Sequence, residues 1–159
     1  MTDNSMRGKV CLITGATSGI GKASSLALAK RGAALVLVAR SEDKAAQLKQ
    51  SIKAETASED VDLIIGDLAS LAEIRRIAQT FIDSGKPLHV LLNNAGVTNM
   101  KRVLTVDGYE EMFAVNHLAY FLLTHLLLER LKGNVPARIV NVASGAHAFC
   151  KNGINFEDI

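Results

Sequence analysis

Short apolar runs alternate along this chain with longer stretches in which apolar residues recur every three or four positions. The first pattern predicts buried strands and the second amphipathic helices. Residues 9–14, 34–39, 61–65, 88–92 and 138–142 read as five strands. Residues 20–31 read as a helix ended by Gly32, a residue suited to a left-handed cap. Ser41 can cap the next helix, with Glu42 and Asp43 complementing the positive end of its dipole. Ser70-Leu71-Ala72-Glu73 has the form of a capping box. Leu71, Ile74, Ile77, Ala78 and Phe81 then trace one face of the helix it opens, which Gly85 and Pro87 close. A long helix is predicted over about 107–131, with Gly133 and Pro136 beyond its end. No linker, repeat or low-complexity tract interrupts the alternation. The chain is therefore predicted to be one α/β domain spanning 1–159, with a doubly wound parallel sheet and right-handed crossovers.

Composition narrows the function classes. Hydrophobic residues make up 48% and charged residues 21%, a balance that fits a folded globular chain. A formal net charge of +2, with no stripe of Lys or Arg, argues against a nucleic-acid partner. Cys11 lies in the apolar run Val10-Cys11-Leu12-Ile13 and is expected to be a buried, unreactive thiol; Cys150 is remote from it. That usage predicts a reducing, cytoplasmic compartment, and the polar first eight residues carry no secretory signal. Residues 113–131 are apolar enough to consider as a membrane span. Asn116, His117, Thr124, His125, Glu129 and Arg130 interrupt them, so a core helix and no membrane span are expected. No metal site is expected.

The turn after the first strand reads Thr14-Gly15-Ala16-Thr17-Ser18-Gly19-Ile20-Gly21. Glycines in a strand-to-helix turn permit the tight bend, let the backbone approach a pyrophosphate, and pack the helix against the sheet. N–H groups at the helix start then face the anion. A phosphate loop of the nucleotide-hydrolase type is nearly matched at Gly21-Lys22. Its first glycine is Ala16, however, and Ala23 replaces the metal-binding hydroxyl.

The pattern T-G-x-x-x-G-I-G resembles the cofactor motif of the short-chain dehydrogenase/reductase family. Further matches follow in order: Gly66-Asp67-Leu68 after the third strand, Asn93-Asn94-Ala95-Gly96 closing the fourth, Asn116 within the long helix, and Ser144 after the fifth strand. The stretches Asn116-His117-Leu118-Ala119-Tyr120-Phe121 and Ser144-Gly145-Ala146-His147 resemble retinol dehydrogenase-like members. The resemblance implies a Rossmann sheet in the order 3-2-1-4-5, incomplete at its C-terminal edge relative to the family's 3-2-1-4-5-6-7. It implies that Gly15, Thr17, Ser18, Gly19, Ile20, Gly21, Arg40, Asp67, Leu68, Asn93, Ala95 and Gly96 bind the dinucleotide. Where NAD-preferring members place an acidic residue for the ribose 2′-hydroxyl, this chain has Ala39 followed by Arg40. A guanidinium can pair with a 2′-phosphate, so NADP is expected over NAD. Ser18 occupies the place where some NADP-dependent members put a second basic residue.

By the same resemblance Ser144 and Asn116 are the catalytic serine and asparagine, orienting a substrate carbonyl and holding a water in the proton relay. The family's tyrosine, with a lysine four residues on, supplies the acid that hydride transfer to a carbonyl requires. Here Tyr109 and Tyr120 are followed four residues later by Phe113 and Thr124, and both precede Ser144. Residue 159 falls where the family still has a loop, so a chain truncated before Y-x-x-x-K is expected. Its fifth strand would then be exposed, and the helix bearing Leu118, Phe121, Leu122, Leu126 and Leu127 partly uncovered. His147 is a candidate for touching substrate. The expected function is an NADP-dependent oxidoreductase domain interconverting an alcohol and a carbonyl, inactive as this fragment, taking a small-molecule substrate and forming a homo-oligomer when complete. The alternative is a non-catalytic dinucleotide-binding or interaction module. An extended-family epimerase or dehydratase is disfavoured by Asn93-Asn94-Ala95-Gly96.

Overall fold

The computed structural model describes residues 5–56 and 58–149, the side chains of His147 and Phe149 excepted. The proposed substrate contact of His147, and Cys150, therefore lie outside the described residues. Five strands, β1 (Val10–Thr14), β2 (Ala34–Ala39), β3 (Val61–Ile65), β4 (Val90–Asn93) and β5 (Arg138–Asn141), form one sheet in the order β3-β2-β1-β4-β5. Every pairing is parallel, with Leu12 opposite Val36 on one side and Leu91 on the other. This is the order the sequence led us to expect.

The central strands are apolar at successive positions because both faces are covered. Cys11, Ile13, Leu35 and Leu37 pack with Ala29 of α1 (Gly19–Lys30) and with Leu48 and Ile52 of α2 (Glu42–Thr56). Val10, Leu12, Val36 and Val38 point the other way, toward Ile77 and Phe81 of α3 (Leu71–Asp83) and toward a helix described below. Burial pushes the Cys11 thiol up to about 11, so it stays protonated. The caps follow the sequence: Gly32 takes φ 85° after α1, and the Ser70 hydroxyl accepts the Glu73 N–H at the start of α3.

The long helix differs from expectation at its start. It begins at Glu111, in a short α4 (Glu111–Phe113), passes through a π-helical turn (Ala114–Leu118) and continues as α5 (Ala119–Lys132). Two tertiary features override the helical periodicity before Glu111. Gly108 takes φ 82° in a turn that pairs Leu104 with Glu110, and the Asp107 carboxylate accepts the Leu71 N–H at the head of α3. Glu110 then caps the helix by accepting the Met112 and Phe113 N–H groups. By length and hydropathy the segment Glu111–Lys132 could cross a membrane. In this fold its Ala119, Leu123, Leu127 and Leu131 bury in the α3 side of the core.

At the far edge, all four residues of β5 are exposed. The helix face above it is less bare than expected. Leu127 is fully buried and Leu122 and Leu126 pack on the core, whereas Phe121 is 67% exposed.

Candidate functional site

The carboxyl ends of β1 to β4 open on a cleft of about 850 Å3. It lies where the strand order reverses between β1 and β4, the switch point at which open α/β sheets bind ligands. Its floor is the glycine turn. Gly15 has φ 62°, and a Cβ there would fall 2.7 Å from Ala95 Cα. A Cβ on Gly21 would fall 2.3 Å from the Gly15 carbonyl oxygen. Gly19, at φ 49°, has nothing near its missing Cβ and faces the open cleft. One glycine thus bends the turn, one seats α1, and one leaves room for a ligand at the helix start, where unpaired N–H groups gather.

The turn is latched to the end of β4. The Thr14 hydroxyl accepts the Asn94 and Ala95 N–H groups at 2.9 and 3.0 Å. The Asn94 side chain returns the contact, donating to the Thr14 and Gly15 carbonyls. Neither Thr14 nor the Asn94 side chain was singled out from sequence, although the doubled asparagine was a signal that could have found the latter.

Of the residues expected to bind the dinucleotide, Gly15, Thr17, Ser18, Gly19, Ile20, Arg40, Asp67, Leu68, Ala95 and Gly96 all line this cleft. Two expected residues do not. Asn93 is fully buried beneath it, donating to the Thr124 hydroxyl and the Asn141 side chain, because strand alternation turns it toward α5. Gly21 is buried behind the turn, where its role is to admit the helix. The cleft gains cations that sequence reasoning passed over. Lys44, in the first turn of α2, and Lys22, one residue beyond Gly21, both line the wall. At the opposite wall, Asp67 Oδ1 accepts the Ala69 N–H, and Leu68 is buried.

A second hollow, of about 820 Å3, shares the wall Asn94-Ala95-Gly96-Val97 and brings Asn116 and Ser144 together. The Asn116 amide pairs with the backbone of Val97, accepting its N–H at 2.9 Å and donating to its carbonyl at 3.0 Å. Asn116 lies in the π-helical turn, a distortion frequent at functional sites. The Ser144 Oγ accepts the Ala146 N–H. Tyr120 also lines the hollow, but its hydroxyl donates to the Ala95 carbonyl at 2.8 Å. Burial raises its pKa above the ordinary tyrosine value. Phe121, stacked on His125, supplies an apolar wall. Among the described residues, no group of three or more His, Cys, Asp or Glu side chains could hold a metal.

A family model described as short chain dehydrogenase matches residues 9–154. Retinol dehydrogenase 12 of Mus musculus is 44% identical over 158 residues, which cover 99% of this chain and 49% of that protein. Retinol dehydrogenase 11 of Homo sapiens is 46% identical over 140 residues, 88% of this chain and 44% of that protein. Among solved structures, the Pseudomonas aeruginosa RhlG/NADP active-site complex aligns with a TM-score of 0.76 at 29% identity, covering 91% of this chain and 57% of that one. The chain thus spans about half the length of the curated relatives it matches.

Proposed function

We propose, for a chain that belongs to the short chain dehydrogenase family and is retinol dehydrogenase-like within it, that it carries the NADP-binding part of an oxidoreductase. The reaction is the interconversion of an alcohol and a carbonyl by hydride transfer, and the isolated chain does not turn over. The observation that carries this reading is the cleft itself. It combines a glycine turn with an open Gly19 and two cations, Arg40 after β2 and Lys44 in the first turn of α2.

The residues fit the dinucleotide in a definite sense. The start of α1 offers N–H groups to a pyrophosphate, Asp67 and Leu68 frame an adenine, and Arg40 and Lys44 pair with a 2′-phosphate. When bound, the nicotinamide supplies or accepts the hydride. In the neighbouring hollow Ser144 orients the substrate carbonyl, and Asn116 fixes the helix to the Val97 backbone while lining the same space. Apolar walls from Phe121, Leu128 and Val142 suit an apolar alcohol or carbonyl. Reduction builds alkoxide charge and needs a proton donor. Tyr120 lines the hollow with its hydroxyl committed to Ala95 and its pKa raised, so it is a poor acid near neutral pH. That favours turnover only in a longer protein, and leaves the chain alone acting as a dinucleotide-binding module.

Calorimetry tests the reading. NADPH is expected to bind more tightly than NADH, and Arg40→Ala to erase about tenfold of that preference, the worth of a hydrogen bond to a charged group. NADH binding as tightly as NADPH overturns the NADP assignment. NADPH oxidation by the isolated chain that depends on Ser144 overturns the absence of turnover.

A further inference from the structure

The capping box at Ser70 is only half formed. Its hydroxyl accepts the Glu73 N–H, but the Ser70 N–H goes to the Asp67 carbonyl instead of the Glu73 carboxylate. Glu73 is engaged elsewhere. Arg76, one turn along α3, donates to it through two nitrogens, Nε to Oε1 at 2.9 Å and Nη2 to Oε2 at 2.7 Å. The same Nη2 donates to the carbonyl of Ile65, the last residue of β3. Arg76 holds the Glu73 carboxylate below the usual glutamate pKa, with a smaller lowering from the Asp67 backbone. One ion pair therefore ties α3 to the residue that precedes Gly66.

Gly66 makes that grip possible. A Cβ there would fall 2.9 Å from Arg76 Nη2 and 2.8 Å from Ile77 Cδ1, so only a glycine lets the guanidinium lie over the turn. The Gly66 N–H donates to the Ala39 carbonyl, which ties the turn to the residue preceding Arg40. An exposed ion pair is ordinarily worth little to overall stability, because water competes for both partners. This pair has a backbone target in the Ile65 carbonyl, and the turn that follows Ile65 lines the cleft.

We infer that Glu73 and Arg76 are positioning residues that clamp the turn Gly66-Asp67-Leu68 in the shape that receives the adenine end of the dinucleotide. The assignment rests on the dinucleotide reading above. It concerns the β3 edge of the sheet, the edge opposite β5, so it is independent of whatever covers β5. The clamp orders a recognition surface in advance, and that ordering then need not be supplied by the ligand on binding.

The test uses two halves of the cofactor as probes. Arg76→Met is expected to weaken binding of adenosine 2′,5′-bisphosphate about fivefold, the worth of an ordinary hydrogen bond, and to leave binding of nicotinamide mononucleotide unchanged. Arg76→Lys, which keeps a donor for Ile65, is expected to recover part of the loss. Without ligand, the Asp67 amide should exchange faster in Glu73→Ala than in the parent chain, with the amide of Leu12 in β1 as internal reference. Equal weakening of both probes, or an unchanged bisphosphate affinity together with unchanged Asp67 exchange, overturns the clamp. If the parent chain does not bind the bisphosphate at all, the dinucleotide reading itself falls, and the assignment with it.

Discussion

The two flanks of the switch point are built to different degrees of closure. On the β1-β2-β3 side every residue of β1 is buried, helices cover both faces, and the glycine turn is locked to β4 through Thr14 and Asn94. On the β4-β5 side the last strand is exposed along its whole length, with Ile139 and Val140 each more than 40% accessible and Phe121 bare on the helix above. The dinucleotide cleft is thus assembled from residues whose positions are over-determined. The hollow holding Asn116 and Ser144 has one firm wall and one open one. An apolar strand in a parallel sheet needs cover on both faces, and the second flank has it on one. A cleft can be fully walled while the hollow beside it stays open on one side.

Glycine substitutions should break this contrast most sharply. Gly21→Ala drives a Cβ to within 2.3 Å of a backbone oxygen, and neither α1 nor the turn can move without releasing the Asn94 latch. A loss of about 3 kcal/mol in denaturant unfolding is expected, the upper range for overpacking. Gly145→Ala, on the open flank with nothing within 4 Å, should change stability by less than about 0.5 kcal/mol. Similar losses at both positions would mean that the two flanks are equally packed.

The exposed apolar face of the second flank should govern association. The chain alone is expected to self-associate in sedimentation, through the outer edge of β5, which no other strand covers among the described residues, and through Phe121. Phe121→Glu should shift the distribution toward monomer without lowering the unfolding midpoint, since that ring lies mostly in solvent. A parent chain that sediments as one monomeric species refutes this.

A smaller effect sits at the seam between the flanks. His89, just before β4, accepts the Val10 N–H of β1 through Nδ1 at 3.0 Å. Burial, and then the nearby charge of Lys9, lowers its pKa below the usual histidine value. The folded state therefore favours the neutral ring, which alone can accept that N–H. Its contribution to stability is complete above the unfolded-state value of about 6.5 and is lost as pH falls through the lower folded-state value. Melting temperature should decline below about pH 6.5, and His89→Gln should flatten that part of the profile. An unchanged slope in the variant would place the acid sensitivity elsewhere.

What the sequence determined by itself is whatever depends on neighbours along the chain. The two periodicities located the strands and helices, because burial on a sheet or a helix face imposes its own spacing. The glycine turn, the Ser70 cap and the left-handed Gly32 were legible for the same reason: each satisfies backbone groups within a few residues. The family motifs extended this to the strand order and to ten residues that line the cleft. What only the tertiary structure decided involves partners far apart in sequence. Which asparagine of the pair meets the glycine turn was settled by Thr14, 80 residues from Asn94. The long helix starts at Glu111 because Asp107 is drawn to the head of α3, 36 residues away. Arg76, paired with Glu73 on the same helix, also reaches the Ile65 carbonyl because the fold lays the end of β3 beside α3. A side chain offered a local and a distant partner takes whichever leaves fewer backbone groups unpaired, and that balance can be struck only once the chain has closed on itself.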